Sequence, residues 1–303
     1  MTKLSDIKKN TIHSSAYFDL IYDKPIVNEL NDWPYPNHFF SYFKKGSSKL
    51  VVMLPGAIDR TKVELPVFQR WSWSEEIKSS VLILNDPTLF GNHLKIGWWQ
   101  GEENSYALPS ACDFISLVIS KLGISIQDVL FYGSSAGGFA ALMMAGHLKG
   151  GLVIVNNPQT NLLEYRELHV QAILETKFNG MSKKEAFNRY PTRFSVSALF
   201  KEVNYIPKIV YYQNVKDPIH FENHYLPFVK ALYDSGLDPN EFQSVLYTHH
   251  WEHFPLERVK TVPIINHWIT ELSEFHDKIK LKEIPEIFES VNLPITSTNI
   301  KQS

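Results

Sequence analysis

Short, fully apolar runs recur along the chain, and between them lie longer stretches whose apolar residues repeat at helical spacing. Leu50–Leu54, Val81–Asn85, Val129–Tyr132, Leu152–Val155 and Lys208–Tyr212 predict buried strands of the parallel type, which are apolar on both faces. Gln243–Tyr247 predicts a last strand, and Ala16–Tyr22 and His38–Phe43 predict an antiparallel pair near the N-terminus. Their connection, Asn31–Asn37, holds two prolines among polar turn formers. Ser105–Leu122 carries Ala107, Ala111, Phe114, Ile115, Val118 and Leu122 on one helical face, with Pro109 suited to a first turn and Gly123 closing the element. Helices are also expected after Val129–Tyr132, ending near His147, over Tyr225–Ser235, and from the last strand's loop to about His276. This alternation predicts a mostly parallel, doubly wound α/β sheet.

One stretch breaks the rhythm. Thr160–Val203 is long, helical in composition and rich in aromatics (Tyr165, Phe178, Phe187, Tyr190, Phe194, Phe200), and no strand fits within it. A structureless loop of that length is rare in a compact domain, so a small helical cap over about 160–205 is expected. The organisation read from the sequence is one domain over 1–277 and a polar C-terminal extension over 278–303.

Composition narrows the class without naming the chemistry. Hydrophobic content of 44% and charged content of 20% suit a soluble globular protein. A net charge of −2 gives no electrostatic reason for nucleic acid or an anionic membrane as partner. Cys112 is the one cysteine, which rules out an internal disulfide framework and suits a reducing compartment. Met1–Thr11 is polar and lysine-bearing, without the apolar core of a signal peptide, and no run of about 18 apolar residues exists to span a membrane. The expected location is cytoplasmic.

The chemistry centres on Gly133-Ser134-Ser135-Ala136-Gly137, which follows a strand and opens the Ala/Leu/Met-rich helix. A Gly-x-Ser-x-Gly pentad in that setting lifts Ser135 on a strained turn, and glycines let strand and helix approach closely. Ser134, in the x position, does not fit the spacing. A serine hydroxyl needs a base oriented by an acid, in the chain order Ser, Asp, His. Asp217 follows a strand end and precedes Pro218; Asp86 also ends a strand but precedes the serine, so it is assigned a structural role. His249, His250 and His253 compete as base after the last strand. His253, directly before Phe254-Pro255 and the last helix, is favoured, with His250 as the alternate. His220, His224 and His267 are assigned to surface or structural positions. A zinc pair at His249 and His253, four apart with Glu252 beside them, lacks both the HExxH order and an obvious third ligand, so no metal is expected. Ala136 would give one oxyanion N–H, and Gly56 or Ala57, after Leu50–Leu54, the other.

From Leu50 to His276 the order of elements resembles the α/β-hydrolase superfamily. Within it, the elbow GSSAGGFAAL, the run Asn156–Tyr165 (NNPQTNLLEY) and Lys216–His220 (KDPIH) resemble bacterial capsular-polysaccharide O-acetyltransferases and the related acetyltransferases of accessory secretion systems. The segment Thr248–His253 departs from the Gly-Gly-His-like run of that family. The resemblance implies acetyl transfer from acetyl-CoA, a substrate and not a bound cofactor, to a polysaccharide hydroxyl through an acetyl-Ser135 intermediate. Trp98, Trp99 and Trp251, with Gln159, are the expected acceptor-binding residues. A plain esterase using the same triad and a non-catalytic hydrolase-fold subunit of a glycan-assembly or secretion complex are the competing readings.

Overall fold

A computed structural model describes residues 3–33, 37–237 and 242–272. The expected extension over 278–303, the prolines of the Asn31–Asn37 loop and the end of the last helix near His276 lie outside the described residues. Nine strands form one sheet: β1 (Lys8–Ile12), β2 (Ile26–Leu30), β3 (Asn37–Tyr42), β4 (Leu50–Leu54), β5 (Ser80–Leu84), β6 (Val129–Ser134), β7 (Leu152–Asn156), β8 (Lys208–Asn214) and β9 (Phe242–Tyr247). Their order is β1-β2-β3-β5-β4-β6-β7-β8-β9. β3 runs antiparallel to β2 and β5, and every other pairing is parallel. This is the α/β-hydrolase fold.

The five apolar runs form the central strands because each buries both faces. In β4, Leu50, Val52 and Leu54 enter one core cluster while Val51 and Met53 enter the other. The first cluster packs under α1 (Ala107–Leu122) and α2 (Ala136–Leu148), and the second under the C-terminal helix at Arg258–Glu271. α2 is buried around its whole circumference, consistent with a sequence from Ala136 to Gly146 that carries no charge.

The expected strand at Ala16–Tyr22 is corrected. Ser15–Tyr17 is a single 3-10 turn, Tyr22 makes one bridge to Phe43, and β3 takes Ile26–Leu30 as its antiparallel partner. Asn28 obscured that strand: it occupies an inward position normally apolar, and is satisfied there by Ser41 Oγ at 3.0 Å and Asn10 at 3.2 Å. β1 is too polar to show alternation at all.

Between β7 and β8 the chain folds into α3 (Glu167–Lys177), α4 (Lys183–Arg189), α5 (Pro191–Phe194) and α6 (Val196–Val203). Arg193 anchors this segment. Its buried guanidinium donates to the carbonyls of Gln100, Glu102 and Glu103 and lies 4.5 Å from the Tyr106 ring and 4.7 Å from the Phe178 ring. After β8 come the short helix α7 (Pro218–His220), a π turn over Phe221–Tyr225 and α8 (Leu226–Asp234); α9 is the C-terminal helix, Arg258–Glu271.

Candidate active site

The turn from β6 to α2 is as tight as the glycines suggest. Ser135 sits at φ 54°, ψ −122°, a region L-residues avoid, and its N–H donates to Asn156 O on the neighbouring strand. A Cβ on Gly133 would lie 2.1 Å from the Gly137 carbonyl oxygen, and one on Gly137 would lie 2.2 Å from that of Leu54. Only glycine lets β4, β6 and α2 converge here. Ser134 is turned away and accepts from Arg70 Nη2 at 2.7 Å.

Asp217 caps the turn after β8, its Oδ1 accepting from the His220 N–H at 3.3 Å. Its Oδ2 lies 2.7 Å from His253 Nδ1, and His253 Nε2 lies 3.0 Å from Ser135 Oγ. A carboxylate only accepts, so the proton of His253 sits on Nδ1 and Nε2 is left to accept the hydrogen bond of the Ser135 hydroxyl. Burial pushes the Asp217 carboxyl up, but the close His220 ring and the hydrogen bond from His253 more than offset it and hold it well below the usual range. Asp217 is therefore ionised at neutral pH.

Two asparagines fold the His253 loop back over the sheet. Asn214 Nδ2 donates to His249 O and Glu252 O, its Oδ1 accepts the His249 N–H, and Asn156 Oδ1 accepts the Leu256 N–H at 2.7 Å. His253 is thereby delivered to the serine. His250, the alternate base, is instead exposed and stacks on His249 at 4.6 Å.

For an oxyanion, α2 presents the Ala136 N–H at its first turn, where helical N–H groups have no intrahelical acceptor and the dipole is positive. Of the two candidates for the second donor, the Gly56 N–H is committed to Gln69 Oε1 at 2.9 Å, a correction that leaves Ala57.

The aromatic residues divide. Trp98 and Trp99 cannot offer stacking faces to a sugar, because each is only 1% exposed. Both adopt left-handed φ (50° and 54°), and Asp86 fixes the loop by accepting the Trp99 and Thr88 N–H groups. Burial raises the Asp86 carboxyl to about 6. Trp251 is 57% exposed and edge-on to Phe254 at 5.0 Å.

Gln159 is fully buried, so its place is inside the site and not on an acceptor surface. Its Nε2 donates to Ser135 Oγ at 2.9 Å and lies 2.8 Å from His220 Nε2, while its Oε1 accepts from Trp98 Nε1 at 3.2 Å. His220, assigned from sequence to a structural or surface position, stacks on His253 with ring centroids 3.9 Å apart and planes within 5°. Its Nδ1 comes within 2.9 Å of Asp217 Oδ2, off the ideal hydrogen-bond line. Burial pulls its pKa down to about 4, and that of the equally buried His224 to about 3. Tyr165, from the helical segment, lies against Trp98, His220 and His224. A signal for His220 existed, since it lies one short turn from Asp217.

Asp217, His220 and His253 place three metal-competent atoms within 4.8 Å of one another. The spacing is that of hydrogen bonds: 2.7 and 2.9 Å between nitrogen and oxygen are shorter than the roughly 3.3 Å that separates two ligands on one tetrahedral zinc. These residues do not fit a zinc ion as they stand.

Strand order and strand–elbow–helix geometry thus define an α/β-hydrolase fold, with serine, histidine and aspartate in hydrogen-bonded sequence. The chain is similar to the capsule O-acetyltransferase of Neisseria meningitidis serogroup A, with a TM-score of 0.57 at 16% identity over 89% of this chain and 100% of that one. A mutant of a serogroup A capsule O-acetyltransferase of that organism in complex with CoA gives 0.55 at 16% identity, covering 78% of this chain and 91% of the other. A hormone-sensitive lipase from a metagenome library gives 0.56 at 10% identity over 85% and 87%. At such identities the likeness is one of fold. No protein-family model matches the sequence, and no curated protein sequence matches it.

Proposed function

We propose that the chain is a serine acyltransferase that moves an acetyl group from acetyl-CoA to a hydroxyl of a capsular or other cell-surface polysaccharide. The observation that carries this reading is the line from Ser135 Oγ to His253 Nε2 (3.0 Å) and from His253 Nδ1 to Asp217 Oδ2 (2.7 Å), with the serine on a strained elbow. The fold it shares with a capsule O-acetyltransferase, and with a CoA-bound form, supports the donor and acceptor classes.

In the first half-reaction Ser135 Oγ attacks the thioester carbonyl while its proton passes to His253 Nε2. Asp217 holds the resulting imidazolium, and the Ala136 N–H, with that of Ala57 as second donor, takes the oxyanion. Collapse breaks the C–S bond, and the CoA sulfur takes the proton from His253. In the second half the acceptor hydroxyl gives its proton to His253 as its oxygen attacks the acetyl carbon. The C–Oγ bond then breaks and Ser135 recovers its proton.

An esterase reading rests on one observation: the His253 side chain keeps 26% of its surface exposed, so water can reach the base. Exposed Trp251, beside the base loop, offers a stacking face to an acceptor sugar. Among the described residues no helix is long and apolar enough to cross a membrane.

The test is intact-mass analysis after incubation with acetyl-CoA and no acceptor. One acetyl group on Ser135, absent in Ser135→Ala and discharged by added polysaccharide, is the expected result. Absence of any adduct on Ser135 with acetyl-CoA refutes the reading, and discharge to free acetate unaffected by polysaccharide selects the esterase.

A further inference from the structure

Ser135 Oγ has a second polar neighbour besides its base. The Gln159 amide nitrogen, 2.9 Å away, can only donate, so it directs an N–H at the atom that becomes the nucleophile. The orientation of that amide is determined by its other contacts. The Trp98 indole N–H can only donate, so the group facing it at 3.2 Å is the Gln159 carbonyl oxygen. The second amide hydrogen faces His220 Nε2 at 2.8 Å, which makes that nitrogen an acceptor and places the His220 proton on Nδ1, beside Asp217 Oδ2 at 2.9 Å.

The contacts close a ring: Ser135 to His253, His253 to Asp217, Asp217 to His220, His220 to Gln159, and Gln159 back to Ser135. Gln159 and His220 are wholly buried, which leaves water no part in orienting the amide.

We propose that Gln159 is a catalytic residue, an N–H donor that stabilises negative charge on Ser135 Oγ, and that His220 is the positioning residue that aims it. The proposal rests on Ser135 being the nucleophile. As Oγ yields its proton to His253, the Gln159 N–H···O contact becomes charge-assisted and strengthens. Once Oγ is bonded to the acyl carbon it is a poor acceptor, and the contact relaxes. In the second half-reaction the C–Oγ bond breaks, Oγ takes the bonding electron pair and then the proton from His253, and the same N–H supports the departing oxygen. The donor thus acts where charge develops in both half-reactions. His220 serves only while neutral, because a protonated Nε2 would turn the amide away. Burial keeps it neutral at pH 7 by lowering its pKa to about 4.

Four variants test this by the rate of Ser135 modification with a fluorophosphonate, site-mapped and normalised to folded protein by circular dichroism. Gln159→Met keeps length and apolar volume without the N–H, and slows labelling by about 10- to 100-fold; Gln159→Glu, which brings a second carboxylate, slows it at least as much. His220→Gln places an oxygen near the old Nε2 and keeps the acceptor for Gln159, so it labels at least about tenfold faster than His220→Asn. His220→Asn places its donor near the old Nδ1 and keeps only the Asp217 contact, so it falls like Gln159→Met. Labelling of Gln159→Met at the wild-type rate overturns the proposal, as does His220→Asn reacting as fast as His220→Gln. If Gln159→Met does not fold, the His220 pair alone decides between the two contacts. Failure of the wild type to label at Ser135 refutes the nucleophile itself, an outcome separate from a labelled Ser135 that ignores Gln159.

Discussion

Two uncharged histidines in the interior make this fold acid-sensitive in a calculable way. His220 and His224 are fully buried, and burial lowers their pKa values from 6.5 to about 4 and about 3. A base whose folded pKa is depressed contributes stability that is present above 6.5 and lost as pH falls toward the folded value, since the unfolded chain gains protons first. Each such histidine costs about 1.4 kcal/mol per pH unit in that window, or about 2 kcal/mol by pH 5. Asp86 acts oppositely, because its carboxyl is raised from 3.8 to about 6; the folded state takes up its proton between those values and regains about 1.4 kcal/mol by pH 5. His38 and His169, also lowered by burial, add to the loss. The net expectation is a fall of about 2 to 3 kcal/mol from pH 7 to pH 5, a sizeable share of an ordinary domain's stability. Below 3.8 the depressed Asp217 removes more. Urea titrations between pH 7 and pH 5, followed by tryptophan fluorescence, measure it. His224→Asn keeps an acceptor for the Thr160 N–H but does not titrate, and it makes the dependence shallower by about 1.4 kcal/mol per pH unit below 6.5. Equal slopes for wild type and His224→Asn would refute the assignment of acid sensitivity to this buried pair.

His253→Ala lowers fluorophosphonate labelling of Ser135 by roughly 10⁴-fold, whereas His250→Ala stays within about twofold; equal losses would overturn the choice of base. Gly137→Ala drives a methyl into the Leu54 carbonyl at 2.2 Å and costs about 3 kcal/mol or folding itself, read as soluble yield and urea midpoint. Arg193→Met leaves three backbone carbonyls without their buried donor, lowering stability by about 3 kcal/mol and exposing the segment 160–205 to limited proteolysis; wild-type resistance would show that Arg193 does not anchor it.

The central strands were legible because burial on both faces leaves no alternation to misread, and the elbow because only glycine fits at Gly133 and Gly137. The first strands were not, because β1 is polar and Asn28 faces inward with its amide satisfied by neighbours no local window contains. Ser135 and Asp217 could be proposed from their places after strand ends. His220 reads in sequence as a surface or structural histidine, because its stacking on His253 depends on a loop that returns from another strand. In sequence, Trp98 and Trp99 read as acceptor-stacking residues because aromatics in a loop resemble a binding face. Their left-handed backbones and the Asp86 clip turn both rings inward.

Sheet order explains how residues so far apart in sequence share one site. β4, β6, β7, β8 and β9 are consecutive neighbours in the sheet and run parallel, so their carboxyl ends lie on one edge. Past those ends lie Ala57, Ser135, Gln159, Asp217 and His253 in the same order as the strands. Ser135 and His253 belong to strands three positions apart, roughly 14 Å at ordinary strand spacing. His253 must therefore come back across β7 and β8 to make its 3.0 Å contact. His250 leaves the chain only three residues after β9 ends at Tyr247, and it stays exposed above that edge. His253 follows three residues later, after Asn214 at the end of β8 has captured His249 and Glu252, and Asn156 at the end of β7 holds Leu256 just beyond. Each asparagine stands on a strand the loop must cross, which is why the later histidine reaches the serine.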